Sequence, residues 1–200
     1  ANWVFDSARK AGDSAVVTSD PNCYLVVFRS AGRQEYATKD VRHILFKVDE
    51  SALDSEADTY EADLQAAKDA AKAAAEDALA QWKAGEATED SFAALANELS
   101  ADDGSNTNGG LYTKIYKNQM VTEFNDWCFD ASRQSGDTGI VYGESSNYKG
   151  YHVMYFVGDD VPYWQVQAEN ALRNTDTEAW LDGLLDSAEV VQEAGMKHVG

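Results

Sequence analysis

Apolar residues recur along this chain with two different periods, and each period predicts a different kind of element. Short apolar, β-branched runs at residues 23–28 and 41–48 predict β-strands, and a third run, residues 151–157, ends at Gly158. Residues 60–84 are rich in alanine and contain no glycine or proline, which predicts one long helix that ends at Gly85. One face of that helix is apolar: Leu64, Ala67, Ala71, Ala75, Leu79 and Trp82.

Helical spacing predicts three further helices, at residues 89–99, 120–131 and 163–188. Thr88 and Asp90 are candidate caps for the first of these, and a capping-box pattern at Thr175 offers a point where the last could restart. Three polar or glycine-rich stretches predict loops and turns, at residues 49–58, 104–110 and 136–149. A short terminal strand is predicted at Val190 and Val191. The order of elements indicates an α+β domain with helices packed on a small sheet.

Part of the chain repeats. Residues 3–14 align with residues 127–138 at an offset of 124 positions, with identical Trp, Phe, Asp, Arg, Gly and Asp residues, and residues 24–28 then align with residues 152–156. Residues 1–36 are therefore predicted to be a partial, degenerate copy of the helix, turn and strand that close the domain. Because a partial copy cannot bury its own core, we expect it to pack on other residues and the chain to come from a longer precursor.

The charge balance narrows the range of partners. The 16 Lys and Arg residues against 35 Asp and Glu residues give a net charge of −19, which repels nucleic acid phosphates and anionic lipid headgroups. We therefore expect no nucleic acid partner and no binding to a bare membrane surface. The acidity is typical of a solubilising surface, and it also suits a basic or unfolded polypeptide partner.

The residues with metal or redox chemistry are sparse. Cys23 and Cys128 lack CxxC spacing, so they are either free thiols or a single pair. The three histidines, His43, His152 and His198, do not have metal-ligand spacing, and there is no phosphate-binding or nucleophile motif. We therefore expect no metal and no cofactor. No apolar run approaches the ~18–20 residues of a membrane span, so any membrane contact is expected to depend on an anchor outside these 200 residues.

Five segments with distinctive residues follow one another along residues 41–158. They are Arg42-His43-Ile44-Leu45-Phe46; the stretch from Phe92 to Asp102, which fits F-x-x-L-A-x-x-x-S-x-D; Gly109-Gly110-Leu111; Gln119-Met120 with Phe124; and Gly150-Tyr151-His152-Val153 after Gly136. In these segments and in their order, residues 41–158 resemble parvulin-type peptidyl-prolyl cis/trans isomerases. The resemblance implies a parvulin-like (FKBP-like) α+β fold, a small antiparallel or mixed sheet covered by helices. Residues 161–200 would form a C-terminal helical extension.

The resemblance also implies a site. His43 and His152 would be paired histidines on neighbouring central strands, and Asp102 would lie near the substrate carbonyl. Leu111, Met120 and Phe124 would hold the proline ring. Their structural alternatives stay open: Met120 and Phe124 as core residues, Asp102 as a cap or turn residue, and the histidines as a purely structural pair.

Three departures from the family pattern concern the rim of this site. One is that an aromatic position of the family, soon after the glycine pair, is Lys114 or Ile115 here. Leu111-Tyr112-Thr113 replaces the usual Asp-Leu-Gly, so an ungapped count puts Tyr112 at the pocket position, and the turn before Gly150 is about three residues longer than usual. The loop after the first strand is acidic where phosphate-directed parvulins are basic, so phosphorylated substrates would be repelled.

Rotation about an X-Pro bond makes and breaks no covalent bond, so an isomerase is consistent with a chain without cofactor motifs. The resemblance implies isomerisation of X-Pro bonds in unfolded or exported clients by an extracytoplasmic foldase of the PrsA and SurA kind. The alternative is a chaperone or peptide-binding module that has kept the fold with little or no catalysis.

Overall fold

The computed structural model describes residues 3–188, which divide into two compact units, residues 3–34 and residues 35–188. Val190 and Val191, where the sequence predicts a strand, lie outside the described residues. Both cysteines are free: Cys23 is exposed in the first unit and Cys128 is buried in the second.

The first unit is a two-stranded antiparallel sheet of β1 (Ser14–Ser19) and β2 (Asn22–Val27). β2 matches the predicted strand, whereas β1 was not predicted. The helix expected at the start of this unit is not formed, since residues 3–12 contain turns and no helix. Residues 3–14 align with residues 127–138, and the helix there ends at Cys128, the equivalent of Val4. The aligned segment therefore contains only the last two residues of that helix.

The second unit contains a four-stranded sheet with strand order β4-β3-β6-β5, antiparallel throughout, and this confirms the predicted α+β class. Its elements, in chain order, are β3 (Ala37–Lys47), α1 (Tyr60–Ala84), α2 (Glu89–Leu99), β4 (Leu111–Ile115), α3 (Thr122–Cys128), β5 (Thr138–Glu144), β6 (Lys149–Pro162) and α4 (Tyr163–Ser187).

The two helices that cover the sheet have the bounds that the sequence predicts. α1 ends before Gly85, and α2 begins after Thr88, whose hydroxyl accepts from the Ser91 backbone N–H while the Ser91 side chain accepts from the Thr88 N–H. This reciprocal pair satisfies two backbone donors at the start of the helix.

The prediction of turns for residues 136–149 is wrong in part, because half of this stretch forms the strand β5. Two of its residues, Gly139 and Gly143, do not serve turns. A Cβ on Gly139 would lie 2.5 Å from Trp127 Nε1, and one on Gly143 would lie 2.9 Å from His152 Nε2. These glycines allow close packing of side chains on the strand, which explains why a glycine-rich stretch forms part of the sheet.

α4 runs without interruption through Thr175, so the predicted restart is wrong. The Thr175 hydroxyl donates to the Ala171 carbonyl within the helix, so it does not cap a new one. Among residues 3–188, none of the helices combines the length and the apolar character needed to cross a membrane.

The core lies on both faces of the sheet. α1 and α2 cover one face, where Ile44, Phe92 and Val153 are fully buried. α3 covers the other, where Val41, Phe124 and Met154 are fully buried. Because side chains alternate along a strand, His43 shares the α3 face with Val41, and His152 shares it with Met154. The pairing of β3 with β6 therefore places both histidines under α3.

Candidate active site

The two predicted histidines meet at the centre of the sheet. The Nδ1 atoms of His43 on β3 and His152 on β6 are 3.0 Å apart, and the rings stack with centroids 5.2 Å apart. Both residues are almost completely buried. β3 and β6 thus form the neighbouring central strands that the sequence predicts for this pair.

Phe124 lies beneath both rings. Its ring makes edge contacts with His43, at a centroid distance of 5.5 Å, and with His152, at 5.3 Å. Phe124 is fully buried. It therefore packs against the histidine pair from α3.

Asp102 lies in the loop after α2 and closes the site on the side of His43. Its Oδ2 accepts a hydrogen bond from His43 Nε2 at 2.9 Å, one from the Tyr112 hydroxyl at 3.0 Å, and one from the Ser105 hydroxyl. The bond from His43, helped by Ser105, holds the pKa of the Asp102 carboxyl well below its usual range although partial burial opposes this. The carboxylate therefore stays ionised.

The ionised carboxylate fixes the direction of a chain of hydrogen bonds. Because Asp102 can only accept, His43 donates through Nε2, and its Nδ1 is free to accept from His152 Nδ1–H. His152 Nε2 then accepts from the Tyr148 hydroxyl, 3.0 Å away. Tyr148, His152, His43 and Asp102 thus form one chain in which every ring nitrogen is used.

Burial sets the other pKa values of the site. It lowers the pKa of His152 to about 3, with a smaller contribution from His43, which keeps the His152 ring neutral near pH 7. Burial, together with the hydrogen bond to Asp102, raises the pKa of Tyr112 to about 12. The Tyr112 hydroxyl therefore remains a donor to Asp102.

The loop that carries Asp102 is held against β3 by a glycine pair. Gly109 and Gly110 have φ angles of +75° and +68°, and the Gly110 carbonyl accepts from the His43 backbone N–H at 2.9 Å. A Cβ on Gly110 would lie 2.2 Å from the His43 carbonyl oxygen. Only glycine permits this approach, which brings the Asp102 loop within reach of the His43 ring.

These side chains line a cavity of about 240 Å³. Its lining residues are His43, Leu45, Lys47, Asp102, Tyr112, Met120, Asn147, Tyr148 and His152.

Four of the six predicted site residues therefore line one cavity: His43, Asp102, Met120 and His152. Phe124 lies below the floor. Leu111 is not among the lining residues, and its neighbour Tyr112 takes that place, as the ungapped count indicates. Adjacent residues of a strand point to opposite faces of the sheet, so only one of the two can face the cavity.

Tyr148 and Ser105 also belong to the site, although neither is among the residues predicted from the sequence. Tyr148 lies in the lengthened turn before β6, and the extra length of that turn was the available signal. Ser105, which is fully buried and bonds to Asp102, gave no such signal, since a serine in a polar loop is ordinary. Among the described residues, no cluster of three or more His, Cys, Asp or Glu side chains could hold a metal ion.

Solved structures that are similar to this chain include a peptidylprolyl isomerase and SurA-like chaperones. The peptidylprolyl isomerase PrsA from Bacillus cereus is 23% identical, with a TM-score of 0.42, and the match covers 80% of this chain and 54% of that one. A structure of SurA-like chaperones from Campylobacter jejuni is 23% identical, with a TM-score of 0.39, covering 78% of this chain and 56% of that one. The chain thus spans little more than half the length of either protein.

Comparison with protein families is more specific. No curated protein matches the chain. The family model of the PPIC-type PPIase domain, the rotamase family, matches residues 43–158. That range is more than half of the chain, and it begins at His43 and includes Asp102, Met120 and His152. The chain therefore belongs to the family of PPIC-type peptidyl-prolyl isomerase (rotamase) domains.

Proposed function

We propose that residues 41–158 catalyse cis/trans isomerisation of X-Pro bonds in unfolded polypeptide clients, without a requirement for phosphate. The observation that carries the proposal is the cavity in which the ionised Asp102 and the histidine chain face the apolar side chain of Met120. A proline ring with its preceding carbonyl has this combination of one apolar and one polar side.

The proposed reaction is rotation about a bond, and no covalent bond is made or broken. The X-Pro bond resists rotation because resonance gives the C–N bond double-bond character and places partial negative charge on the carbonyl oxygen. Rotation removes that charge separation. An environment that binds the proline ring and disfavours a negative carbonyl oxygen therefore stabilises the twisted transition state relative to the planar amide.

Met120 and Leu45 supply the apolar contact with the ring in this proposal, since both line the cavity. Phe124 acts through the histidines, as the support of the floor. Asp102 acts on the carbonyl: a carboxylate that stays ionised near the substrate oxygen raises the energy of the planar, charge-separated form. His43 and His152 hold Asp102 and the floor in place, and no proton transfer is needed.

The charges around the cavity favour unphosphorylated substrates. Lys47 is the one cationic residue of the lining. Nearby on β6, Lys149 is already neutralised, because its Nζ lies 2.7 Å from Glu50 Oε2. The loop between β3 and α1 carries Asp49, Glu50, Asp54, Glu56 and Asp58. A phosphate group would meet net negative charge there.

Catalysis can be tested by following isomerisation of a proline peptide, by a protease-coupled assay or by NMR exchange. We expect the wild-type chain to accelerate the reaction. Asp102→Ala should lower kcat/KM by about 10- to 100-fold through loss of the electrostatic effect. Met120→Ala should lower it by about tenfold through loss of apolar contact with the ring.

The matched control is Asp103→Ala, which removes a neighbouring carboxylate that is exposed and lies outside the cavity. It should leave kcat/KM unchanged. Circular dichroism of each variant shows whether the fold is kept. An uncatalysed rate with folded wild-type protein, or equal losses for Asp102→Ala and Asp103→Ala, would refute the proposed mechanism.

A chaperone with weak or no isomerase activity is the second candidate, and α4 favours it. Large apolar side chains on this helix are exposed: Leu172, Trp180, Leu181, Leu184 and Leu185. Such side chains can hold unfolded clients without any catalysis. Suppression of client aggregation by a chain that leaves the isomerisation rate unchanged would select this candidate. The extracytoplasmic location stays a prediction, which fractionation of the source cells would test.

A further inference from the structure

We propose that the first unit is a docking surface that completes a second parvulin-type fold. Its partner is a β-strand followed by two helices with an apolar face, the equivalent of β3, α1 and α2. The partner pairs with the free edge of β2 and covers the exposed apolar face of the β1–β2 hairpin.

The segment before β1 makes the same side-chain contacts as the segment before β5. The Arg9 guanidinium lies 4.3 Å from the centre of the Trp3 ring, and that of Arg133 lies 4.1 Å from the centre of the Trp127 ring. Arg9 Nε donates to the Trp3 carbonyl at 3.0 Å, and Arg133 Nε donates to the Trp127 carbonyl at 3.2 Å. The aligned residues therefore make the same contacts in both units.

The turns that follow are also the same. Gly12 has a φ of +95° and donates to the Phe28 carbonyl at 2.9 Å. Gly136 has a φ of +90° and donates to the Phe156 carbonyl at the same distance of 2.9 Å. Beyond the turns, the hairpins share their register: Val16 faces Leu25 in the first unit, as the aligned Ile140 faces Val153 in the second.

The two hairpins differ in what surrounds them. In the second unit, β6 pairs with β3 along its other edge, and α1 and α2 cover the face that carries Ile140, Val153 and Tyr155. In the first unit, the equivalent face consists of Val16, Leu25 and Val27, which are 69%, 76% and 55% exposed. Among the described residues, β2 pairs with β1 alone.

The hydrogen bonds of β2 identify the groups that would receive the strand. Phe28 N–H points towards β1, since it donates to the Asp13 carbonyl at 2.8 Å. Backbone N–H groups alternate in direction along a strand, so those of Leu25 and Val27 point to the free edge. The residues aligned with Leu25 and Val27 are Val153 and Tyr155, which pair with Ile44 and Arg42 in the β3–β6 ladder. This pairing sets the expected register of the added strand.

A strand together with helices suits this surface better than a strand alone. An extended client peptide would satisfy the β2 edge but leave the Val16, Leu25 and Val27 side chains in water. Pairing of two β2 edges from two copies of the chain would also leave these side chains in water. A two-stranded hairpin is marginal by itself, and burial of this apolar face would stabilise it.

The completed fold would differ from the second unit at one position. Tyr24 aligns with His152, so a histidine on the incoming strand would lack its imidazole partner. The second fold would therefore serve binding or structure, without the histidine pair of the candidate active site.

The test is a fusion in which a copy of residues 35–126 is joined directly to Trp3 of the full chain, because Trp3 aligns with Trp127. We expect amide hydrogen exchange at Leu25 and Val27 to slow by about 100-fold or more relative to the unfused chain. Leu25→Asp in the fusion should abolish this protection. Leu172→Asp, which changes a leucine on α4 that is 66% exposed, should not.

A second format removes the covalent link: residues 35–126 are added as a separate polypeptide to the full chain, and exchange at Leu25 and Val27 is measured again. Unchanged exchange in both formats overturns the proposal. The proposal is also overturned if exchange at Leu25 and Val27 in the unfused chain slows as the concentration of that chain rises. That result would identify a second copy of the chain as the partner. Equal protection by an unfolded proline-containing peptide would identify the surface as a client site and overturn it as well.

Discussion

The chemistry of the site depends on single side chains that lie in unequal environments. Asp102 is partly exposed and receives hydrogen bonds from three side chains, which keep it ionised, whereas His152 is buried and neutral. The two groups bind His43 from opposite sides of its ring. This arrangement links Tyr148 to Asp102 through both imidazole rings.

Burial of His152 makes stability depend on pH. The folded protein holds the pKa of His152 at about 3, below its ordinary value of about 6.5, so the unfolded chain binds more protons between these values. The stabilisation is complete above about pH 6.5 and is lost as the pH falls towards 3, by at most about 1.4 kcal/mol per pH unit. The lowered pKa of Asp102 acts in the same direction at still lower pH.

Urea unfolding at several pH values between about 7.5 and 4.5 measures this loss. His152→Gln keeps a hydrogen-bonding side chain but removes the titration, so we expect its free energy of unfolding to fall less steeply with pH. Equal slopes for wild type and variant would contradict the assignment.

At the scale of elements, the site depends on how three segments are attached to β3. β6 pairs with it along ten residue pairs, the Gly109–Gly110 turn approaches its backbone, and the end of α2 is tied to it by Ser100, whose hydroxyl accepts from the Leu45 N–H at 3.1 Å. Asp102 follows Ser100 by two residues. The Asp102 loop is thus fixed at both ends.

Gly110→Ala should disrupt this attachment. The new Cβ would lie 2.2 Å from the His43 carbonyl oxygen and would require a φ of +68°, so we expect the free energy of unfolding to fall by about 2–3 kcal/mol. Gly158→Ala on β6 is the control, since a Cβ there meets nothing within 4 Å; it should change stability by less than about 1 kcal/mol. The urea midpoints of the two variants measure their losses of stability. Similar losses for Gly110→Ala and Gly158→Ala would refute the steric argument.

At the scale of the whole molecule, the net charge of −19 is the dominant property. Charge of one sign attracts clients of the other sign over distances comparable to the Debye length, and this acts mainly on the rate of association. The chain is therefore expected to associate faster with basic unfolded clients than with acidic ones.

Stopped-flow association with a basic unfolded client should show this attraction. Between about 0.01 M and about 1 M salt the Debye length falls from about 30 Å to about 3 Å, and we expect the association rate to fall by about tenfold or more. An acidic client of similar length serves as the control and should associate faster as salt rises. A rate for the basic client that does not depend on salt would show that charge has no part in client selection.

The sequence by itself determined those features that arise from local interactions. The bounds of α1 and α2 follow from alanine-rich composition, Gly85 and the Thr88 cap, which act within a few residues of one another. The positions of His43, Asp102, Met120 and His152 in the candidate site followed from motif order. That order indicated which residues belong together, because the family's fold brings them to one place.

Only the tertiary structure decided the features that depend on contact between distant segments. β4 and β5 are strands because they pair with β3 and β6, and Gly139 and Gly143 are in β5 because Trp127 and His152 pack against them. The choice of Tyr112 over Leu111 depended on which face of β4 meets the cavity. Tyr148 joined the site because a turn brings its hydroxyl to His152. Pairing and side-chain direction are set by the partner strand, and local sequence carries little information about them.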